Sequence, residues 1–133
     1  MSVVQVPGAT GNLSSDLTGK GQAAIDALAG GSDYVYIHVE APDECGHQGD
    51  AAGKITAIER IDREIIEPVW HYLQQHREAT GESYRLMVMP DHPTPLAIRT
   101  HSSDPVPCAL FDSEIHRAGL DTSNPDITYC ETL

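Results

Sequence analysis

Residues that bind divalent cations recur at three places in this chain. Asp43 is followed four residues later by His47, in Ala41-Pro42-Asp43-Glu44-Cys45-Gly46-His47. Asp91 and His92 are adjacent in Pro90-Asp91-His92-Pro93, and His101 stands in Thr100-His101-Ser102. A carboxylate with imidazoles suits Mn²⁺, Zn²⁺, Fe²⁺ or Co²⁺, whereas an all-oxygen Mg²⁺ or Ca²⁺ cage needs no histidine. Asp43, His47 and His101 together would make an open three-ligand site. Asp91 and His92 can fill a second site or bridge from the first, provided their loop kinks. Two ions about 3.5–4 Å apart clamp the attacking and leaving oxygens of a phosphoryl transfer. Each motif alone is a weak signal. What joins them is position: each lies just past an apolar run and is flanked by Pro or Gly. Cys45, between Asp43 and His47, reads as a small packing residue rather than a ligand.

The elements around these motifs read as α/β. Residues 34–39, Tyr-Val-Tyr-Ile-His-Val, have the β-branched and aromatic content of a buried strand. Pro42 predicts that the chain leaves the sheet there, so residues 41–47 are expected as a loop. Residues 85–89 and 107–111 read as further strands, and 3–6 as a short one. The Pro7–Gly11 stretch breaks that first strand and lacks the spacing of a phosphate-binding loop. A helix is expected over 17–28, with Thr18 as its N-cap and Gly30-Gly31 as its stop. From about Asp50, Ile55, Ile58, Ile61, Ile65, Val69 and Tyr72 form an apolar stripe at helical spacing. Pro68 should bend that helix, and Gly81 should end it. His71 and His76 fall on its wet face. A short helix is expected over 113–118. The β-loop-α-β order predicts a mainly parallel sheet flanked by helices. Ligands in such sheets collect at the carboxyl ends of the strands.

Charge narrows the partners. The 133 residues carry a formal net charge of −12, which argues against nucleic acid and anionic membranes. An acidic chain can still take an anionic substrate if cations intervene. No stretch approaches the ~20 apolar residues of a membrane span. Residues 1–6 lack a signal-peptide pattern, and Cys45, Cys108 and Cys130 are too few for a disulfide framework. A cytoplasmic setting with free thiols is expected.

Four ordered blocks add a resemblance. They are Ala41–Asp50, the Lys54…Ala57-Ile58-Glu59-Arg60-Ile61-Asp62 stretch, Pro90–Pro95, and Arg99–Pro107. Together with Val6–Gly11 they resemble the metal-binding half of cofactor-independent phosphoglycerate mutase. The branch is the archaeal type, within the alkaline phosphatase superfamily. The resemblance implies a partial alkaline phosphatase-like α/β core and two divalent ions, most often Mn²⁺, with Zn²⁺, Co²⁺ or Mg²⁺ as substitutes. One ion would be held by Asp43, His47 and His101, the other partly by Asp91 and His92. It implies interconversion of 2- and 3-phosphoglycerate through a phosphoserine, in glycolysis and gluconeogenesis, and so a phosphorylated small-molecule substrate.

The family's nucleophilic serine, a further aspartate ligand and its inserted domain have no counterpart here. Residues 1–133 are therefore expected to be one metal-binding segment of a longer enzyme, with no catalytic residue of its own and no mutase activity. Ser14, Ser15, Ser102 and Ser103 are not promoted to nucleophiles; the last two are expected to shape the His101 loop by local hydrogen bonds. Related phosphopentomutase-, sulfatase- or phosphonate-hydrolase-like enzymes, or a non-catalytic metal-binding domain, are the alternatives. Apolar surface left by the absent part favours self-association.

Overall fold

The computed structural model describes residues 2–115. Helix α1 spans Leu17–Ala29. Asp16, not Thr18, caps it: the Asp16 carboxylate accepts from the Gly19 N–H at 2.9 Å. An aspartate two residues earlier serves better because its carboxylate also faces the positive end of the helix. Gly30 and Gly31 close α1 as expected.

Helix α2, Ala41–Gln48, occupies the stretch expected as a loop. Pro42 is compatible with this because the first turn of a helix has no partner for its missing N–H. Asp43 and Glu44 add favourable charge in that first turn, and Gly49 at φ +72° ends the helix. Asp50 then caps helix α3, Ala51–Ile61, accepting from Gly53 N–H at 2.9 Å.

The helix runs on from α3 through a π-helical turn at Asp62–Ile66 into α4, Glu67–Thr80, where Gly81 stops it. The π turn is how the chain accommodates Pro68. Glu67 N–H reaches back five residues to the Asp62 carbonyl, and the proline ring would otherwise meet the carbonyl of Glu64. That carbonyl faces α1 instead. A Cβ on Gly21 would lie 2.7 Å from Glu64 O, so only glycine lets the two helices approach this closely. Leu17 and Ala24 of α1 are buried with Ile65 and Val69. Arg60 clamps the same corner. It donates to Glu64 twice at 2.8 Å, to Ser15 O at 3.1 Å and to Leu13 O.

The apolar stripe is only half covered. Ile65 and Val69 are buried, but Ile55 and Ile58 are 58% and 52% exposed. Of the two helix histidines expected on the wet face, His71 is exposed and His76 is half-buried, 3.0 Å from Glu82.

Strand β1, Arg85–Val88, pairs antiparallel with β2, Ala109–Asp112. The mainly parallel sheet is not found among the described residues. No helix crosses over between these two strands, and a chain that returns without one runs antiparallel. Residues 34–39 are extended with alternating exposure, yet form no ladder, and neither do residues 3–6. Trp70 ties α4 to the strand pair, with ring centroids 4.3 Å from Phe111 and 6.2 Å from Tyr84. The expected helix over 113–118 lies largely outside the described residues, as does Cys130. No helix among the described residues is long and apolar enough to cross a membrane.

Candidate metal centre

Helix α2 explains the first motif. Residues four apart share a helix face, so Asp43 and His47 meet, with His47 Nε2 3.2 Å from Asp43 Oδ2. The turn ending at His101 supplies the next donor. His101 Nε2 lies 3.4 Å from Asp43 Oδ1 and 3.2 Å from His47 Nε2. His92 packs against His101 in a tilted arrangement, with ring centroids 3.7 Å apart. Ligand atoms of Asp43, His92 and His101 all lie within 4.8 Å of one another. Thus four of the five expected residues converge, with His92 beside both Asp43 and His101. Asp91 is exposed; its Oδ2 is 3.5 Å from His92 Nε2.

The donor set fits a cation. Ligand bonds of about 2.0–2.2 Å place neighbouring donors roughly 3.0–3.5 Å apart, the spacing found here. His47 Nδ1 lies 2.9 Å from the Arg99 carbonyl, which can only accept. Nδ1 therefore carries a hydrogen, and in the neutral ring Nε2 is the atom left to offer a lone pair on the side of the carboxylate and His101. Lone pairs aimed at one another are stable only with a cation or a proton between them.

Burial opposes a charge on Asp43. The Thr94 hydroxyl, and then His47, His101 and His92, outweigh it and hold the carboxyl below its ordinary value of 3.8. Asp43 is thus kept in the form that ligates.

Thr94 was not singled out by the sequence reading. It is buried, its hydroxyl donates to Asp43 Oδ1, and it lies 3.5 Å from His92 Nδ1. Lys54 of α3 donates to the Thr94 carbonyl at 2.8 Å, which fixes the loop to the helices. The same carbonyl would be 2.7 Å from a Cβ on Gly46, so the glycine seats the loop on α2. The visible signal was Pro93-Thr94-Pro95, two rigid residues around one hydroxyl.

The serines have other partners. Ser15 Oγ accepts from Thr10 N–H, and Ser14 Oγ donates to Asn12 at 2.7 Å. Ser102 braces the His101 loop through Asp104 at 2.7 Å and through the Pro93 carbonyl. Cys45 is buried among helix residues, and burial pushes its thiol pKa up.

Beside the cluster opens a cleft of about 330 Å³ lined by His38, Glu40, Asp43, Glu44, Asp91 and His92. Four carboxylates on one wall repel an anion unless cations stand between them.

The comparisons with known proteins agree with this geometry. The chain is 50% identical over 113 residues to the 2,3-bisphosphoglycerate-independent phosphoglycerate mutase of Methanothrix thermoacetophila, covering 85% of this chain and 28% of the relative. It is 45% identical to the enzyme of the same name from Methanosarcina acetivorans, over 86% of this chain and 28% of that one. The chain thus spans little more than a quarter of the curated relatives it matches. Its fold matches that of the PH0037 protein from Pyrococcus horikoshii with a TM-score of 0.72 and 28% identity, over 84% of this chain and 31% of that one. A sequence profile described as the metalloenzyme superfamily matches residues 1–129. The chain belongs to the metalloenzyme superfamily, and its similarity there is to the 2,3-bisphosphoglycerate-independent phosphoglycerate mutases.

Proposed function

We propose that this chain is the metal-binding segment of a phosphoglycerate mutase-like enzyme that interconverts 2- and 3-phosphoglycerate through a phosphoserine. The observation that carries the reading is the convergence of potential ligand atoms of Asp43, His47 and His101, 3.2–3.4 Å apart. In this reading Asp43, His47 and His101 hold one divalent ion, and Asp91 and His92 contribute to a second. The mixed oxygen and nitrogen donors suit Mn²⁺, Zn²⁺, Fe²⁺ or Co²⁺, and the family resemblance favours Mn²⁺ among them. The ions would supply positive charge for a phosphoryl group. The chain's own residues do the rest. Asp43 and the histidines bind and orient, Thr94 holds Asp43 ionised, and the acidic cleft admits an anion only beside the metal centre.

In this reading the serine nucleophile lies outside residues 1–133, in the part of such an enzyme that this chain does not match. Segments 3–6 and 34–39 would then join a larger, mainly parallel sheet with that part. The test is complementation. The 133-residue chain with Mn²⁺ should not turn over 3-phosphoglycerate. Joined to the remaining region of the Methanothrix relative, it should. Turnover by the chain alone, or none after joining to a region that folds and carries the serine, would refute the assignment.

A further inference from the structure

Arg99 is the one described residue other than glycine with a positive φ, +53°. Its turn is pinned from behind: the Pro95 carbonyl accepts from Ile98 N–H at 3.2 Å and from Arg99 N–H at 2.9 Å. A left-handed backbone here rotates the Arg99 carbonyl toward His47 Nδ1, 2.9 Å away. The side chain secures the conformation from the other side. A Cβ on Gly49 would lie 2.7 Å from Arg99 Nε, so the guanidinium lies directly against the residue that caps α2. The C-terminal end of a helix carries partial negative charge, and a cation there is favourable. Arg99 thereby ties the His101 loop to the helix that bears His47.

We propose that Arg99 is a positioning residue for His47: its strained backbone, rather than its charge, fixes the Nδ1–H tautomer and so turns the Nε2 lone pair toward Asp43 and His101. The functional consequence rests on the metal-centre reading; the tautomer does not. Outer partners that orient a histidine ligand change metal affinity by about 10–100-fold when lost. Glycine adopts a positive φ freely, and β-branched valine does so only with strain.

Three proteins decide the matter: the wild-type chain, Arg99→Gly and Arg99→Val. The His47 tautomer is read by ¹⁵N NMR without metal, and Mn²⁺ affinity by calorimetry. Wild type and Arg99→Gly should both show Nδ1–H and bind Mn²⁺ within about twofold of one another. Arg99→Val should lose the single tautomer and bind at least about tenfold more weakly. A wild-type ring in the Nε2–H form overturns the inference. So does an Arg99→Val chain that keeps tautomer and affinity, or an Arg99→Gly chain that loses either. If Arg99→Val does not fold, wild type and Arg99→Gly decide alone. A wild-type chain with Nδ1–H that binds no Mn²⁺ upholds Arg99 as the anchor of the ring and refutes the metal reading instead.

Discussion

Asp43 is the residue on which the site turns, because both of its oxygens are engaged, one by partners from other segments and one within helix α2. Thr94 and His101 meet Oδ1, and His47 meets Oδ2. Removing the Thr94 hydroxyl leaves the carboxylate without its fixed donor. Thr94→Ala should weaken Mn²⁺ binding by about 10-fold, within the range for outer-shell partners, and Thr94→Ser should restore most of it. Calorimetric titration of the three proteins checks this. That Asp43, His47, His92 and His101 come near one another was legible, because acid and imidazole at short spacing beside Pro and Gly is a local pattern; Asp91, expected with them, is exposed beside His92. Thr94, Lys54 and Arg99 were not legible. Their roles depend on where a hydroxyl, an ammonium and a backbone carbonyl arrive after folding, and no spacing in the chain announces that.

Among the helical elements, α1 packs closely on the π turn. Gly21 has no room for a side chain against Glu64 O, so Gly21→Ala should lower unfolding free energy by about 1–3 kcal/mol. Urea denaturation measures this. Glu64 at the same corner is pulled down to about 2, first by hydrogen bonds from Arg60, against the cost of burial and with Arg63 adding to the pull. Its folded pKa lies below its ordinary value of 4.5, so its contribution is complete above that pH and is lost as pH falls toward 2. Glu64→Gln should therefore be less stable than wild type at pH 6, and the gap should close between pH 4.5 and 2. A gap that stays constant over that range would count against the pairing. The long helix was readable from its apolar spacing, and its stop from Gly81. The π turn was not, since Pro68 predicts a disturbance without saying which way the chain absorbs it. Helix α2 was misread as a loop because Pro42, Gly46 and Gly49 look like breakers. Each is accommodated, at the first turn, at the contact with Thr94 and at the cap.

At the scale of the whole molecule, apolar surface is left uncovered. Tyr34 and Tyr36 are 73% and 62% exposed on an extended segment with no ladder partner, and Ile55, Ile58, Met87 and Leu110 are also exposed. Such edges pair readily with other chains. The isolated chain should therefore self-associate as its concentration rises; a constant monomer mass by light scattering would contradict this. The α/β character was legible, but the strand pairing was not: among the described residues β1 and β2 pair antiparallel, a register that depends on where two segments meet after folding. The central claim is that helix α2 and two loops distant in sequence gather Asp43, His47, His92 and His101 into a divalent-cation centre. Thermal unfolding of the chain with and without Mn²⁺, beside His101→Ala, tests it most directly. At a metal concentration 100 times Kd, binding adds about 2.7 kcal/mol, enough to raise the wild-type Tm by several degrees. His101→Ala should show little or no rise. A wild-type Tm that does not move at millimolar Mn²⁺, or an equal rise in His101→Ala, would contradict the account.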